Sequence, residues 1–256
     1  MPGSGSLPSV TSMSTPEVAI ITGASRGLGY ALASGLAAAG FRLVIDGRDP
    51  AALQAAAARL AFLAPGPDTP DGPVIAVPGD ITDPEHRAAL AAAAARLGGP
   101  DLLIHNAGTL GASPLPALAD YPVAALRDAL EVNVVAPVAL TQLLLPDLRA
   151  RGGAVICVTS DAAVAAYAGW GGYGAAKAAL EQAGNVLAAE EPAVRVWRVD
   201  PGDLRTRMHQ DAFPGQDISD RPLPETVVPA FLRLITERMP SGRYQAAELM
   251  PAGARP

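Results

Sequence analysis

Tyr173 and Lys177 stand four residues apart in Tyr173-Gly174-Ala175-Ala176-Lys177, a spacing that puts both side chains on one face if the segment is helical. The chemistry such a pair offers is proton transfer. A free phenol has a pKa of about 10, and a fixed ammonium beside it lowers that value toward the range where a proton moves near neutrality. Taken alone, the pair is equally a solvated patch of helix surface. Ser160 supplies a second hydroxyl thirteen residues before Tyr173, at the C-terminal end of a β-branched run, where α/β sheets present ligand-binding groups. Asn133, in Glu131-Val132-Asn133-Val134, interrupts a helical pattern with a mediocre helix former, so it is either exposed or kept at a cost.

A different chemistry is available near the start. The string Thr22-Gly23-Ala24-Ser25-Arg26-Gly27-Leu28-Gly29 follows an apolar run and opens into an amphipathic segment. Backbone N–H groups at a helix start, with glycines that let a ligand approach, can hold a dinucleotide pyrophosphate. The spacing departs from the G-x-G-x-x-G of dinucleotide folds, and a glycine triad alone is as well explained by a tight turn.

The elements that must position these groups follow from the alternation of short β-branched runs with longer Ala/Leu-rich segments. Strands are expected over 18–22, 42–46, 74–77, 101–105, 154–160, 194–199 and 243–249. Helices are expected over 27–39, 50–63, 83–97, 119–149, 172–190 and 225–238. This is the pattern of an α/β, Rossmann-type doubly wound parallel sheet of about seven strands with helices on both faces. The Pro/Gly/Asp stretch 65–73 is a surface loop, and 200–224 is long, polar and Pro-rich enough to act as a substrate loop.

Composition bounds the rest. At 256 residues, half of them hydrophobic and 4% aromatic, the chain suits one domain over 17–256, with a Ser/Pro/Gly-rich disordered leader over 1–16. A net charge of −6 and a pI near 5.0 give no attraction to nucleic acid or anionic lipid. The lone Cys157 cannot close an intrachain disulfide and reads as a buried thiol in a reducing, cytoplasmic setting. No apolar stretch free of charge, Pro and Gly approaches the ~18 residues of a membrane span, and no residues show metal-ligand spacing.

The glycine string resembles the T-G-x-x-x-G-x-G signature of the short-chain dehydrogenase/reductase family, and the resemblance extends over nearly the whole chain. Ser160 and Tyr173 stand thirteen residues apart, and Asn133 and Ser160 twenty-seven, as the family's catalytic members do. The resemblance implies that Tyr173 is the general acid or base and that Ser160 hydrogen-bonds the substrate oxygen. It further implies that Lys177 serves both the phenol and the nicotinamide ribose, while Asn133 orders a proton-relaying water. Cofactor contacts would come from Gly23, Ser25, Arg26, Gly27, Leu28 and Gly29, from the Asp80-Ile81 pair after strand three, and from Asn106-Ala107-Gly108 after strand four. Pro201-Gly202 and Thr206 resemble the turn beside the nicotinamide.

His105 replaces the Asn that often precedes the Asn-Ala-Gly segment and reads as a packing residue. Asp161, Ala162, Tyr167 and Trp170 could line the substrate pocket, or Trp170 could pack a subunit contact. Met208, His209 and Phe213 give the substrate loop a mixed chemistry.

The implied reaction is NADPH-dependent reduction of a carbonyl, or its reverse, on a small molecule, in a homodimer or homotetramer. NADP(H) is preferred over NAD(H) because Gly47 occupies the position of the acid in NAD-specific relatives, while Arg48 and Arg26 can clamp a 2′-phosphate. A register shift that turned Asp46 to the ribose would reverse this. A non-catalytic nicotinamide sensor, and an epimerase or dehydratase using the same four residues, remain alternatives.

Overall fold

The computed structural model describes residues 17–64 and 72–250. Seven parallel strands form one sheet in the order β3-β2-β1-β4-β5-β6-β7. They are β1 (Val18–Ile21), β2 (Arg42–Gly47), β3 (Val74–Pro78), β4 (Leu102–His105), β5 (Ala154–Val158), β6 (Arg195–Asp200) and β7 (Gly242–Gln245). The expected leader and most of the expected 65–73 loop lie outside the described residues.

Central strands β1, β4 and β5 are buried along their whole length, as strands covered on both faces must be. The pleat sends alternate side chains to two cores. Ile21 and Ile45 pack with Leu32 and Leu36 of α1 (Gly27–Ala38) and Leu53 of α2 (Pro50–Ala61). Ile20 and Val44 pack on the other face with Leu90 of α3 (Pro84–Arg96). Asp49 and Asp83 accept the first backbone amides of α2 and α3, with Pro at each helix start, which is why these helices begin where they do. The chain leaves β1 on one side for β2 and crosses to the other for β4, so the crevice beyond Ile21 and Ile104 is the switch point where such sheets bind ligands.

Four expected boundaries move. The helix expected over 119–149 is α4 (Val123–Leu130), a π-turn over Glu131–Val135, and α5 (Ala136–Arg151), which ends at Gly152 in the left-handed conformation. Its 29 residues are long and apolar enough to cross a membrane by length and composition, but Leu140, Leu144 and Leu148 are spent on the second core. β5 stops at Val158 instead of Ser160, because Ser160 caps a 3-10 turn over Asp161–Ala163. The loop expected over 200–224 contains α7 (Arg207–Ala212), capped by Thr206 Oγ1 accepting from the His209 amide at 3.2 Å.

The last expected strand, 243–249, is β7 followed by a helical turn, Ala246–Leu249, whose Ala/Glu/Leu content favours helix once the edge pairing ends. α6 (Gly171–Glu190) and α8 (Val228–Thr236) complete the layers.

Candidate active site

The glycine loop is built by backbone economy. Thr22 Oγ1 donates to the Ile104 carbonyl at 3.2 Å and accepts from the amides of Asn106 and Ala107, both at 3.0 Å. Asn106 Nδ2 returns across the gap to the carbonyls of Thr22 at 2.8 Å and Gly23 at 3.1 Å. Gly23 holds φ +68°, and a methyl on Gly29 would overlap Asn106 Nδ2 and the Gly23 carbonyl, so glycine at both positions is a steric requirement. Beyond them, α1 starts at Arg26 with no capping side chain and no acid in its first turn. Its free amide end can therefore take an anion. Thr206 faces the same loop, with its methyl 3.8 Å from where a Gly27 Cβ would stand. Ser25 lies beside Gly47, and the Leu28 side chain packs into the core.

The Asp46 carboxylate is held between the glycine loop and α3. It is buried, its Oδ1 accepts from the Gly23 amide, and its Oδ2 pairs with His86 Nε2 at 3.1 Å. A Cβ on neighbouring Gly47 would instead meet Ser25 and Leu53, so the pleat directs residues 46 and 47 to opposite faces of the sheet. Arg48 and Arg26 are exposed at the rim. Arg48 lies close enough to Asp80 for its charge to act on that carboxyl, which is held below its usual value first by the Thr82 amide. Ile81 is buried and its carbonyl accepts from Arg87 Nη1 at 2.7 Å.

Four residues from three elements converge at the C-terminal edge of the sheet. Asn133 sits in the π-turn, fully buried, with its amide paired to both backbone groups of Thr109, Nδ2 to O at 2.9 Å and N to Oδ1 at 3.1 Å. Lys177 Nζ donates to the Val158 carbonyl at 2.8 Å and lies 5.6 Å from the centre of the Tyr173 ring. A Cβ built on Gly108 would be 2.8 Å from Asn133 Oδ1 and 3.7 Å from Lys177 Nζ, so both close on one point of the Asn106-Ala107-Gly108 segment. Ser160 Oγ donates to Asp161 Oδ1 at 3.0 Å and accepts from the Ala162 amide at 3.2 Å.

The electrostatics correct one expectation. Burial raises the Tyr173 phenol above its usual pKa, the Asp200 and Asp161 carboxylates raise it further, and the Ser160 hydroxyl pulls it back. The expected lowering by Lys177 is absent, because desolvation and two carboxylates outweigh an ammonium tied to a backbone carbonyl. Burial in turn brings Lys177 down to about 8.

Sequence reasoning missed what supports this edge. Arg243 on β7 donates Nε to Glu181 Oε1 at 2.9 Å, and Nη2 to Asp200 Oδ2 and to the Ser160 carbonyl, both at 3.3 Å. Glu181 also accepts from Thr159 Oγ1 at 2.7 Å. No spacing in the chain marks residues so far apart; only the neighbouring places of β5, β6 and β7 bring them together.

Around these groups, Trp170 meets Tyr173 edge-on at 5.7 Å and Phe213 at 5.9 Å, and His209 meets Phe213 at 4.9 Å. Ala162 and Met208 pack in the same cluster, and Tyr167 is exposed, its hydroxyl donating to Asp161 Oδ2 at 2.8 Å. Pro201 and Gly202 follow β6, the Gly202 amide donating to Asp200 Oδ1 at 3.0 Å. His105 is buried, pairs with Thr141 Oγ1 at 2.8 Å, and is pushed down to about 3 by burial. Cys157 is buried and pushed up to about 12 for the same reason.

The short chain dehydrogenase family model matches residues 17–217. The rhamnolipids biosynthesis 3-oxoacyl-[acyl-carrier-protein] reductase of Pseudomonas aeruginosa is 34% identical over 205 residues, covering 75% of this chain and 74% of its own. Bovine (Bos taurus) sepiapterin reductase is 34% identical over 202 residues, with the same two shares. A short chain dehydrogenase from Escherichia coli CFT073, solved in complex with NADPH, superposes with a TM-score of 0.79 at 29% identity, over 90% of this chain and 96% of that one. With its seven-stranded parallel sheet and its sequence both matching, this chain belongs to the short-chain dehydrogenase/reductase family and is an oxidoreductase acting between CH–OH and C=O.

Proposed function

We propose that the protein reduces a carbonyl to an alcohol with NADPH, or runs the reverse, using Tyr173 as the acid. One observation carries this reading: Tyr173, Ser160, Lys177 and Asn133 come from α6, the β5 turn and the π-turn to one edge beside the glycine loop. A nicotinamide held there supplies the hydride. The chain's own work is placement and charge. Tyr173 gives its proton to the carbonyl oxygen, and a raised pKa keeps that proton on the phenol until an oxyanion develops. Ser160 donates a second hydrogen bond to the same oxygen. Lys177 holds the ribose beside the phenol, and Asn133 fixes the backbone of Thr109 behind it.

NADP(H) is preferred in this reading because Arg48 and Arg26 stand exposed at the rim and both Asp46 oxygens are already engaged, by the Gly23 amide and by His86. The family's NADPH complex from E. coli supports the same choice. The remaining cofactor contacts are assigned to Ser25, Gly27, Leu28, Asp80, Ile81, the Asn106-Ala107-Gly108 segment, Pro201, Gly202 and Thr206. The enzyme works on a small molecule in the cytoplasm as a homodimer or homotetramer, supported by exposed Val135, Val138 and Leu143 along α5 and its start.

Tyr173→Phe tests the acid assignment. Turnover of a ketone panel, followed by NADPH absorbance, should fall ~10²–10⁴-fold, while NADPH affinity by fluorescence titration stays unchanged. Retention of more than half the activity would remove Tyr173 from this role.

A further inference from the structure

The Ser160 hydroxyl has one proton, and the Asp161 carboxylate and the Tyr173 phenol both lie within its reach. Its oxygen accepts from the Ala162 amide at 3.2 Å, and its hydrogen goes to Asp161 Oδ1 at 3.0 Å. An ionised carboxylate is a stronger acceptor than a neutral carbonyl oxygen, so Asp161 competes with the substrate for that proton. Resting on the assignment of Ser160 as a donor to the substrate oxygen, we propose that Asp161 selects carbonyl compounds bearing an ammonium group, or a comparable hydrogen-bond donor, next to the carbonyl. Capture of Asp161 by that donor releases the Ser160 hydroxyl to the carbonyl oxygen.

The surroundings fit a cation and not an anion. Asp161 is exposed and, among the described residues, has no ion pair. Asp200 differs, since Arg243 pairs with it at 3.3 Å. The Asp161 carboxylate accepts from the Tyr167 hydroxyl at 2.8 Å, and the Asp203 and Asp200 charges act on the same phenol. Asp203 is open to solvent, with His209 Nδ1 at 3.8 Å. Trp170, 5.7 Å from the Tyr173 ring, and Phe213 beside it put aromatic rings next to the phenol, surfaces that favour a cation. Lys177, the buried cation, is turned inward to the Val158 carbonyl. A substrate carboxylate next to Ser160 would meet Asp161, which carries no compensating cation among the described residues.

The test uses three ketones of nearly equal size: aminoacetone, butanone and pyruvate, each reduced by the holoenzyme with NADPH. Wild type should favour aminoacetone over butanone in kcat/KM by about tenfold, the equivalent of one partly exposed charge-assisted hydrogen bond, and should turn over pyruvate least. In Asp161→Ala the preference should vanish, through a fall for aminoacetone and a rise in kcat for butanone as Ser160 is released. Asp203→Ala, at the rim, should change the ratio less than about threefold. Equal wild-type rates on aminoacetone and butanone, or an Asp161→Ala variant of unchanged melting temperature that loses both alike, would overturn the proposal.

A second measurement separates this idea from the reductase reading. With NADPH present, isopropanolamine cannot react, and its binding is read by tryptophan fluorescence. Saturable binding lost in Asp161→Ala supports the amine site even if no ketone turns over; absence of binding to wild type sinks it even if butanone is reduced.

Discussion

Gly29→Ala puts the architecture of the glycine loop to a quantitative test. A methyl at this position overlaps Asn106 Nδ2 and the Gly23 carbonyl oxygen, with the carbonyl carbon at 3.0 Å. Neither neighbour can yield cheaply. Asn106 Nδ2 is fixed by the Thr22 carbonyl at 2.8 Å and the Gly23 carbonyl at 3.1 Å, and Ala107 Cα stands 2.9 Å from a Cβ position on Gly23. Accommodation therefore costs the two Asn106 hydrogen bonds, about 1 kcal/mol each, plus about 1–3 kcal/mol of overpacking. A loss of about 3–5 kcal/mol in a domain of this size lowers Tm by roughly 6–20 °C.

Displacement of the amide end of α1 should also weaken NADPH binding by about tenfold or more, equivalent to one charge-assisted contact. Gly215→Ala is the control. Its φ is +78° and nothing lies within 4 Å of the added methyl, so it pays only left-handed strain of about 1 kcal/mol. Its Tm should fall by ~2–4 °C, with cofactor affinity untouched. Calorimetry and fluorescence titration on the two variants decide the matter. A Gly29→Ala protein that melts with Gly215→Ala and binds NADPH like wild type would refute the close-approach argument.

Arg48→Ala should reduce kcat/KM for NADPH by ~5–10-fold, the lower range for an exposed charged contact, and leave NADH nearly unchanged; equal losses, or a wild type that favours NADH, would refute the 2′-phosphate assignment. His105 is held neutral by burial at a pKa of about 3, whereas the unfolded chain takes up a proton near 6.5. Stability should therefore fall as pH drops through that value, by about 2 kcal/mol at pH ~5, and His105→Asn should remove this component from denaturant titrations. Light scattering at micromolar concentration should give twice or four times the 26.0 kDa chain mass; a single-chain mass would exclude the assembly drawn from the α5 face.

Short β-branched runs alternating with longer Ala/Leu-rich segments made all seven strands and the main helices legible, because strands covered on both faces read as continuous apolar runs while helices are longer and amphipathic. What escaped was what rhythm does not encode. A π-turn adds one backbone group per turn without changing which residue types look helical, so the buried seat of Asn133 had no signature. The end of β5 is decided by Ser160 folding back on the Ala162 amide, a local hydrogen bond that competes with the ladder. Asp46 was readable: Ile45 and Gly47 share one face, and the pleat alone sends the residue between them to the other. The pKa of Tyr173 was not, since it depends on Asp200, twenty-seven residues on, and on desolvation that only packing creates.

The ties of Arg243 reach beyond catalysis into biogenesis. Arg243 stands on the last strand, so a chain that ended before β7 would lack the guanidinium that pairs with the buried acids Glu181 and Asp200, and buried charges deprived of that partner would oppose closure of the edge. The Ser160 carbonyl gains its guanidinium contact only when β7 docks on β6. Competence is thereby coupled to completion: a chain truncated before β7 would carry the glycine loop and Tyr173 yet lack the clasp that ties Glu181, Asp200 and the Ser160 carbonyl together.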